Sequence, residues 1–265
     1  EMKNPHPVFS AFQQLEYSQN YTDEKKRRHV IPTYMGLISE IDHHIGRLIS
    51  FLDTNNLSEN TVIIFTSDHG DYLGDHWLGE KDLFHEPSIR IPLIIVEPKM
   101  PINLRGTSEK RMVESVDIVP TIVETMGGSY ASNRMEGRSL VPLLFGDNPA
   151  WRDTVFAEID YSDRGARQVL DKHPYECRGY MIKNTQWKYI YWEGCRAQLY
   201  DLLNDPNEFN DLAENHDQSE RLEDFEKQLF SWLRNRKQRT VVELDELYKR
   251  SPEADEKAGI IIGRW

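Results

Sequence analysis

Residues 61–66, Thr-Val-Ile-Ile-Phe-Thr, form an uninterrupted apolar and β-branched run that stops at Ser67-Asp68-His69-Gly70-Asp71. A short run without polar alternation predicts a strand covered on both faces, as in a parallel sheet. In open α/β sheets, ligands collect outside the carboxyl ends of such strands. The polar cluster after Thr66 is therefore the first place to look for chemistry.

The flanking segments supply the layers that such a strand needs. Between residues 22 and 55, Ile31, Met35, Ile38, Ile41, Ile45, Leu48, Ile49 and Leu52 recur at three- and four-residue steps, predicting an amphipathic helix that Pro32 interrupts or restarts. His43 and His44 lie on this helix, one expected to face the layer beneath and the other solvent. A second strand is expected at 92–96 and a helix at 113–126, stopped by Gly127-Gly128. Residues 1–22 show no clear period and are read as irregular. Strand and helix alternation gives an α/β layer for residues 1–150.

Beyond Gly146-Asp147-Asn148-Pro149 the pattern changes. Short aromatic-rich runs at 154–159, 177–183, 187–193 and 197–202 predict an antiparallel meander of about four strands. A charged amphipathic helix follows near 217–236, so 151–236 reads as a small antiparallel subdomain with a packing helix. The tail 237–265 is highly charged but closes with Gly259-Ile-Ile-Ile-Gly263, an apolar patch expected to dock on a second subunit.

Charge narrows the partners. A formal net charge of −12 leaves no concentrated basic face for nucleic acid or an anionic membrane. No apolar stretch reaches the roughly 18 residues of a membrane-spanning helix. The two cysteines, Cys177 and Cys195, are read as free thiols of a reducing, cytoplasmic compartment, with pairing across neighbouring strands as the alternative.

Within the polar cluster, Asp68 offers hard oxygen donors and His69 an imidazole nitrogen, a combination suited to Mn²⁺ or Zn²⁺. A turn carrying a surface histidine is the alternative reading. Asp71, Asp75 and His76 are further candidates, as ligands or as supporting groups. A catalytic metal ordinarily takes at least three protein ligands, and the local sequence does not complete the set.

The blocks Ser67-Asp68-His69-Gly70-Asp71, Gly74-Asp75-His76, Lys81 and Glu86-Pro87-Ser88-Ile89-Arg90-Ile91-Pro92 resemble the C-terminal signature of the type I sulfatases, of the alkaline phosphatase superfamily. Val116-Asp117, Gly137-Arg138-Ser139, Trp187-Lys188-Tyr189-Ile190 and Leu199-Tyr200-Asp201 through Asp205-Pro206-Asn207-Glu208 keep the same order. Arg239-Thr240 and Gly259–Gly263 most resemble the phosphonate monoester hydrolase branch. The resemblance runs from about residue 30 to the end. It implies the C-terminal part of an alkaline-phosphatase-like mixed sheet flanked by helices, followed by the small antiparallel subdomain. It further implies that Asp68 and His69 bind one divalent metal (Mn²⁺ or Ca²⁺, with Zn²⁺ a third candidate) and that Lys81 contacts the transferred sulfuryl or phosphoryl group. His76 is a candidate donor to the leaving-group oxygen, and Glu86 and Arg90 a structural pair. The expected substrate is a small sulfate or phosphonate monoester, and the intact protein a homo-oligomer.

The family's nucleophile is a formylglycine made within a Cys/Ser-x-Pro-x-Arg motif, and these 265 residues contain no such motif. The chain is therefore expected to be the C-terminal half of such a hydrolase, inactive alone. A non-catalytic interaction fragment and a phosphodiesterase of the same superfamily are the alternatives.

Overall fold

A computed structural model describes residues 5–237. Arg239-Thr240 and the Gly259–Gly263 patch lie outside the described residues. The described residues begin with two short helices, α1 (Pro7–Gln13) and α2 (Glu16–Gln19), followed by a 3₁₀ turn at Asn20–Thr22. Over the described part of 1–22 this corrects the irregular reading: helices of seven and four residues are too short to display a period. His6 caps α1 by accepting the Val8 amide at Nδ1, and Pro7 fits the first turn. The helix buries Val8, Phe9, Ala11 and Phe12.

Helix α3 (Glu24–Thr54) starts at Asp23, whose carboxylate accepts the Lys25 amide. It runs through Pro32 without a break; the proline costs the bond to the Arg28 carbonyl but not the helix. Its apolar stripe is largely uncovered among the described residues, with Met35, Ile38 and Ile41 each about half exposed. His43 and His44 are both exposed, so neither faces a layer beneath.

Strand β1 (Ile63–Thr66) pairs with β2 (Leu93–Val96) antiparallel, Ile63 opposite Val96 and Thr66 opposite Leu93. The expected parallel arrangement is thereby corrected for this pair. An apolar run reports burial, not direction, and the intervening segment folds back as a loop carrying only α4 (Glu86–Ile89), whereas a parallel partner needs a crossover. Helix α5 (Ile118–Thr125) follows a 3₁₀ turn at Ser115–Asp117 and is capped at Met126, just before Gly127 at φ +77°; α6 (Val141–Leu144) closes this portion.

The meander forms as the sequence predicts. Strands β3 (Val155–Asp160), β4 (Arg178–Lys183), β5 (Trp187–Trp192) and β6 (Gln198–Asp201) pair antiparallel in chain order, with α7 (Gly165–Val169) between β3 and β4. Period-two alternation divides its side chains between two cores. Ile182, Trp187, Tyr189 and Leu199 face α8 (Ser219–Arg234), which contributes Phe225 and Leu229. Trp232 of α8 stacks on Phe156 at a 4.5 Å centroid distance. Met181, Ile190, Trp192 and Tyr200 face the other way, onto α1 and onto Tyr72, Leu83 and Phe84 of the loop between β1 and β2. This core draws residues from both sides of residue 150 and brings the loop after Thr66 against the sheet. No helix among the described residues is long and apolar enough to cross a membrane.

Candidate functional site

Beyond Thr66 the backbone turns through Ser67 to Gly70. The Asp68 carboxylate accepts the His69 amide at 3.0 Å, fixing its rotamer across the turn. The Nδ1 of His69 lies 2.7 Å from the Gly70 carbonyl. A carbonyl only accepts, so Nδ1 carries the proton and Nε2 presents a lone pair. That Nε2 stands 3.4 Å from Oδ2 of Asp68. Ligand bonds of about 2.0–2.4 Å place neighbouring donors about this far apart, so the two groups fit the edge of one coordination sphere. A histidine whose other nitrogen is bound to a backbone carbonyl is also the usual state of a metal-binding imidazole. Among the described residues no group of three or more His, Cys, Asp or Glu side chains converges, and Asp68 and His69 stand as a pair.

Gly70 is required by a close approach, not by its φ. Its amide donates to the Ser88 carbonyl at 2.7 Å, and a Cβ there would overlap the Pro87 carbonyl. The loop that follows is strained: Leu73, His76, Trp77, Glu80 and Leu83 all hold left-handed backbone without being glycine. Such conformations persist only where surrounding packing enforces them. Here the enforcement is Tyr72, Leu78, Leu83 and Phe84 in the core, with the Tyr72 amide bound to the Glu80 carbonyl at 2.8 Å.

Lys81 sits on this loop, half buried, its carbonyl accepting the Ser88 hydroxyl. Asp71 serves a turn, accepting the Leu73 amide. The left-handed turn at His76 swings its ring into a box of Phe9, Tyr72, His85 and Phe209, stacked on His85 at 4.1 Å. Burial pushes its pKa down to about 4. Neither His76 nor Lys81 is among the residues that line the cavity at Asp68.

That cavity, of about 800 Å³, is lined by Asp68, His69, Ser88, Arg90, Met181 and Lys183 among others. The expected Glu86–Arg90 pair does not form, because α4 ends at Ile89 and Arg90 turns away with extended backbone. Glu86 pairs instead with Lys183 at 2.5 Å and Lys188 at 2.9 Å. Burial pushes the Glu86 carboxyl up, and the two ammoniums more than reverse it, holding it below the usual range. Lys183 and Lys188 escaped the sequence reading as site residues. The available signal was Lys188 itself, a lysine on the strand face that also carries Ile190 and Trp192.

Cys177 and Cys195 are both free.

A sulfatase family model matches residues 2–129, and one described as N-sulphoglucosamine sulphohydrolase, C-terminal, matches residues 74–236. The chain is 34% identical to the multifunctional alkaline phosphatase superfamily protein PehA of Trinickia caryophylli, over 92% of this chain and 47% of that protein. It is 28% identical to an arylsulfatase of Clostridium perfringens, over 82% of this chain and 42% of the relative. Its fold superposes on the phosphonate monoester hydrolase of Agrobacterium radiobacter with a TM-score of 0.71 and 33% identity, covering 76% of this chain and 40% of the other. The chain thus spans less than half the length of each of these proteins.

Proposed function

The chain belongs to the sulfatase family of the alkaline phosphatase superfamily, and from that membership we propose that it forms part of a metal-dependent hydrolase of sulfate or phosphonate monoesters. The observation that carries the reading is the pair of donors, Asp68 Oδ2 and His69 Nε2, set 3.4 Å apart in residues that line the cavity. Asp68 supplies negative charge and His69 a lone pair of fixed tautomer, two of the ligands of one divalent ion. A bound ion would supply positive charge to the oxygens of the transferred group. Lys81 adds an ammonium beside those oxygens as the leaving group departs. The nucleophile, a formylglycine in this reading, and the remaining metal ligands come from outside these 265 residues; alone, the chain is inactive. We favour phosphonate monoesters, on the similarity to the phosphonate monoester hydrolase.

A non-catalytic interaction role is the second reading, favoured by the uncovered apolar stripe of α3 at Met35, Ile38 and Ile41. Assembly as a cytoplasmic homo-oligomer through Gly259–Gly263 belongs to the proposal too, and light scattering that returns a monomer removes it.

The test is turnover of p-nitrophenyl sulfate, a phenylphosphonate monoester and a phosphodiester by the full-length protein, with and without a chelator. Chelator-sensitive hydrolysis of either monoester supports the proposal. Turnover of none of them removes it, and strict preference for the diester moves the protein to the phosphodiesterase reading.

A further inference from the structure

Lys188 and Glu208 have no exposed side-chain surface, an expensive place for two charges unless every polar atom finds a partner. They do. The ammonium of Lys188 has three donors and meets three acceptors: the Phe84 carbonyl at 2.8 Å, Glu86 Oε1 at 2.9 Å and Glu208 Oε1 at 2.5 Å. The second oxygen of Glu208 accepts the Glu86 amide at 2.7 Å. Glu208 reaches this point on left-handed backbone, φ 57°. Lys183 adds a contact to Glu86 Oε1 at 2.5 Å. Residues 84–86 are thus gripped from β4, from β5 and from the loop after β6.

The next two residues hold the candidate site. Ser88 accepts the Gly70 amide through its carbonyl and donates its hydroxyl to the Lys81 carbonyl, while Pro87 packs against Gly70 where a side chain would stand. One short run of chain, 84–88, therefore links the buried ions to the Asp68–His69 turn and to Lys81. A buried ion pair adds little net stability over apolar residues of the same size, but it does fix geometry through directional bonds.

We infer that Lys188, Glu208 and Glu86 are positioning residues: they fix Asp68–His69 and Lys81 relative to one another from behind the loop, and so make the antiparallel subdomain a working part of the site. What is positioned rests on the function proposed above; the mechanical coupling does not.

The test is Glu86→Gln in the full-length protein, read by hydrogen exchange of peptides covering 68–74, by Mn²⁺ titration and by steady-state kinetics. Exchange at 68–74 should quicken at least about tenfold, and the apparent Mn²⁺ Kd should rise about 10–100-fold. The rate constant kcat should fall while KM stays near its original value, with excess Mn²⁺ restoring part of the loss. Leu229→Ala, which opens the distant core beneath α8, should lower the unfolding midpoint yet leave 68–74 exchange and Mn²⁺ affinity unchanged. If Glu86→Gln fails to fold, Lys183→Gln removes one arm of the same carboxylate and should move each readout in the same direction. Unchanged exchange at 68–74 with unchanged Mn²⁺ affinity would falsify the inference. Faster exchange in a protein that turns over no ester supports the coupling and removes the hydrolase reading instead.

Discussion

Gly70 donates its amide to the Ser88 carbonyl at 2.7 Å, with the Pro87 carbonyl occupying the space where a Cβ would be. The turn that bears Asp68 and His69 is thereby seated directly on backbone, which cannot yield as a flexible side chain can. Gly70→Ala should force the two segments apart at a cost of about 1–3 kcal/mol, as overpacking does. Chemical denaturation should show that loss, and Mn²⁺ titration should show weakened binding. An alanine variant with wild-type stability and affinity would mean that the contact is loose.

Acid should weaken the fold through its buried histidines. Burial pushes His6 and His76 down to about 4 and His85 well below its usual range. An unfolded chain takes up these protons near pH 6.5, whereas the folded chain holds His6 and His76 neutral until about pH 4. The unfolded state binds more protons throughout that window, so stability falls as pH drops from about 6.5 to about 4. His6 and His76 each contribute up to about 3 kcal/mol to that loss. Urea midpoints should therefore drop between pH 7.5 and pH 5, with a shallower drop in His76→Phe. A flat profile across this range contradicts the burial of the three rings.

Arg152 grips Asp117 with both guanidinium arms, at 2.5 and 2.7 Å, and also reaches Glu114 at 2.9 Å. Asp117 is fully buried and additionally accepts the amides of Glu114 and Arg138, tying the start of α5 to the chain ahead of β3. Arg152→Lys keeps the charge but loses the fork, and Arg152→Met strands a buried carboxylate. Denaturant unfolding should place Arg152→Met about 3–5 kcal/mol below the parent, with Arg152→Lys between them.

Leu229 is fully buried between α8 and the meander, beside Ile182 and Leu199. Leu229→Ala should cost about 2–5 kcal/mol in the same experiment, through lost burial and the cavity left behind.

Much of this architecture is legible in the sequence, and the exceptions share a cause. The four meander strands declare themselves because Trp187 to Trp192 and their neighbours alternate between two covered faces. The long helix declares itself through Ile31 to Leu52, although periodicity could not say what covers the stripe. Antiparallel pairing of Ile63–Thr66 with Leu93–Val96 was hidden because an apolar run carries no direction. Asp68 and His69 were legible as neighbouring donors of complementary chemistry. The partners of Glu86 were not: a spacing of four pointed to Arg90, while the structure supplies Lys183 and Lys188, roughly a hundred residues away. His76 looked like chemistry for want of any local sign that Phe9, Tyr72, His85 and Phe209 would enclose it.

The central claim is that Asp68 and His69 hold a divalent ion while Lys81 meets the transferred group. The most direct measurement is kcat/KM for a phosphonate monoester, taken with bound-metal content, for the full-length protein and its Asp68→Ala and Lys81→Ala variants. Asp68→Ala should lose both metal and turnover. Lys81→Ala should retain the metal and lose turnover by about 10²–10³-fold, the scale of removing one preorganised charge-stabilising group. Wild-type metal content and turnover in Asp68→Ala would contradict the account.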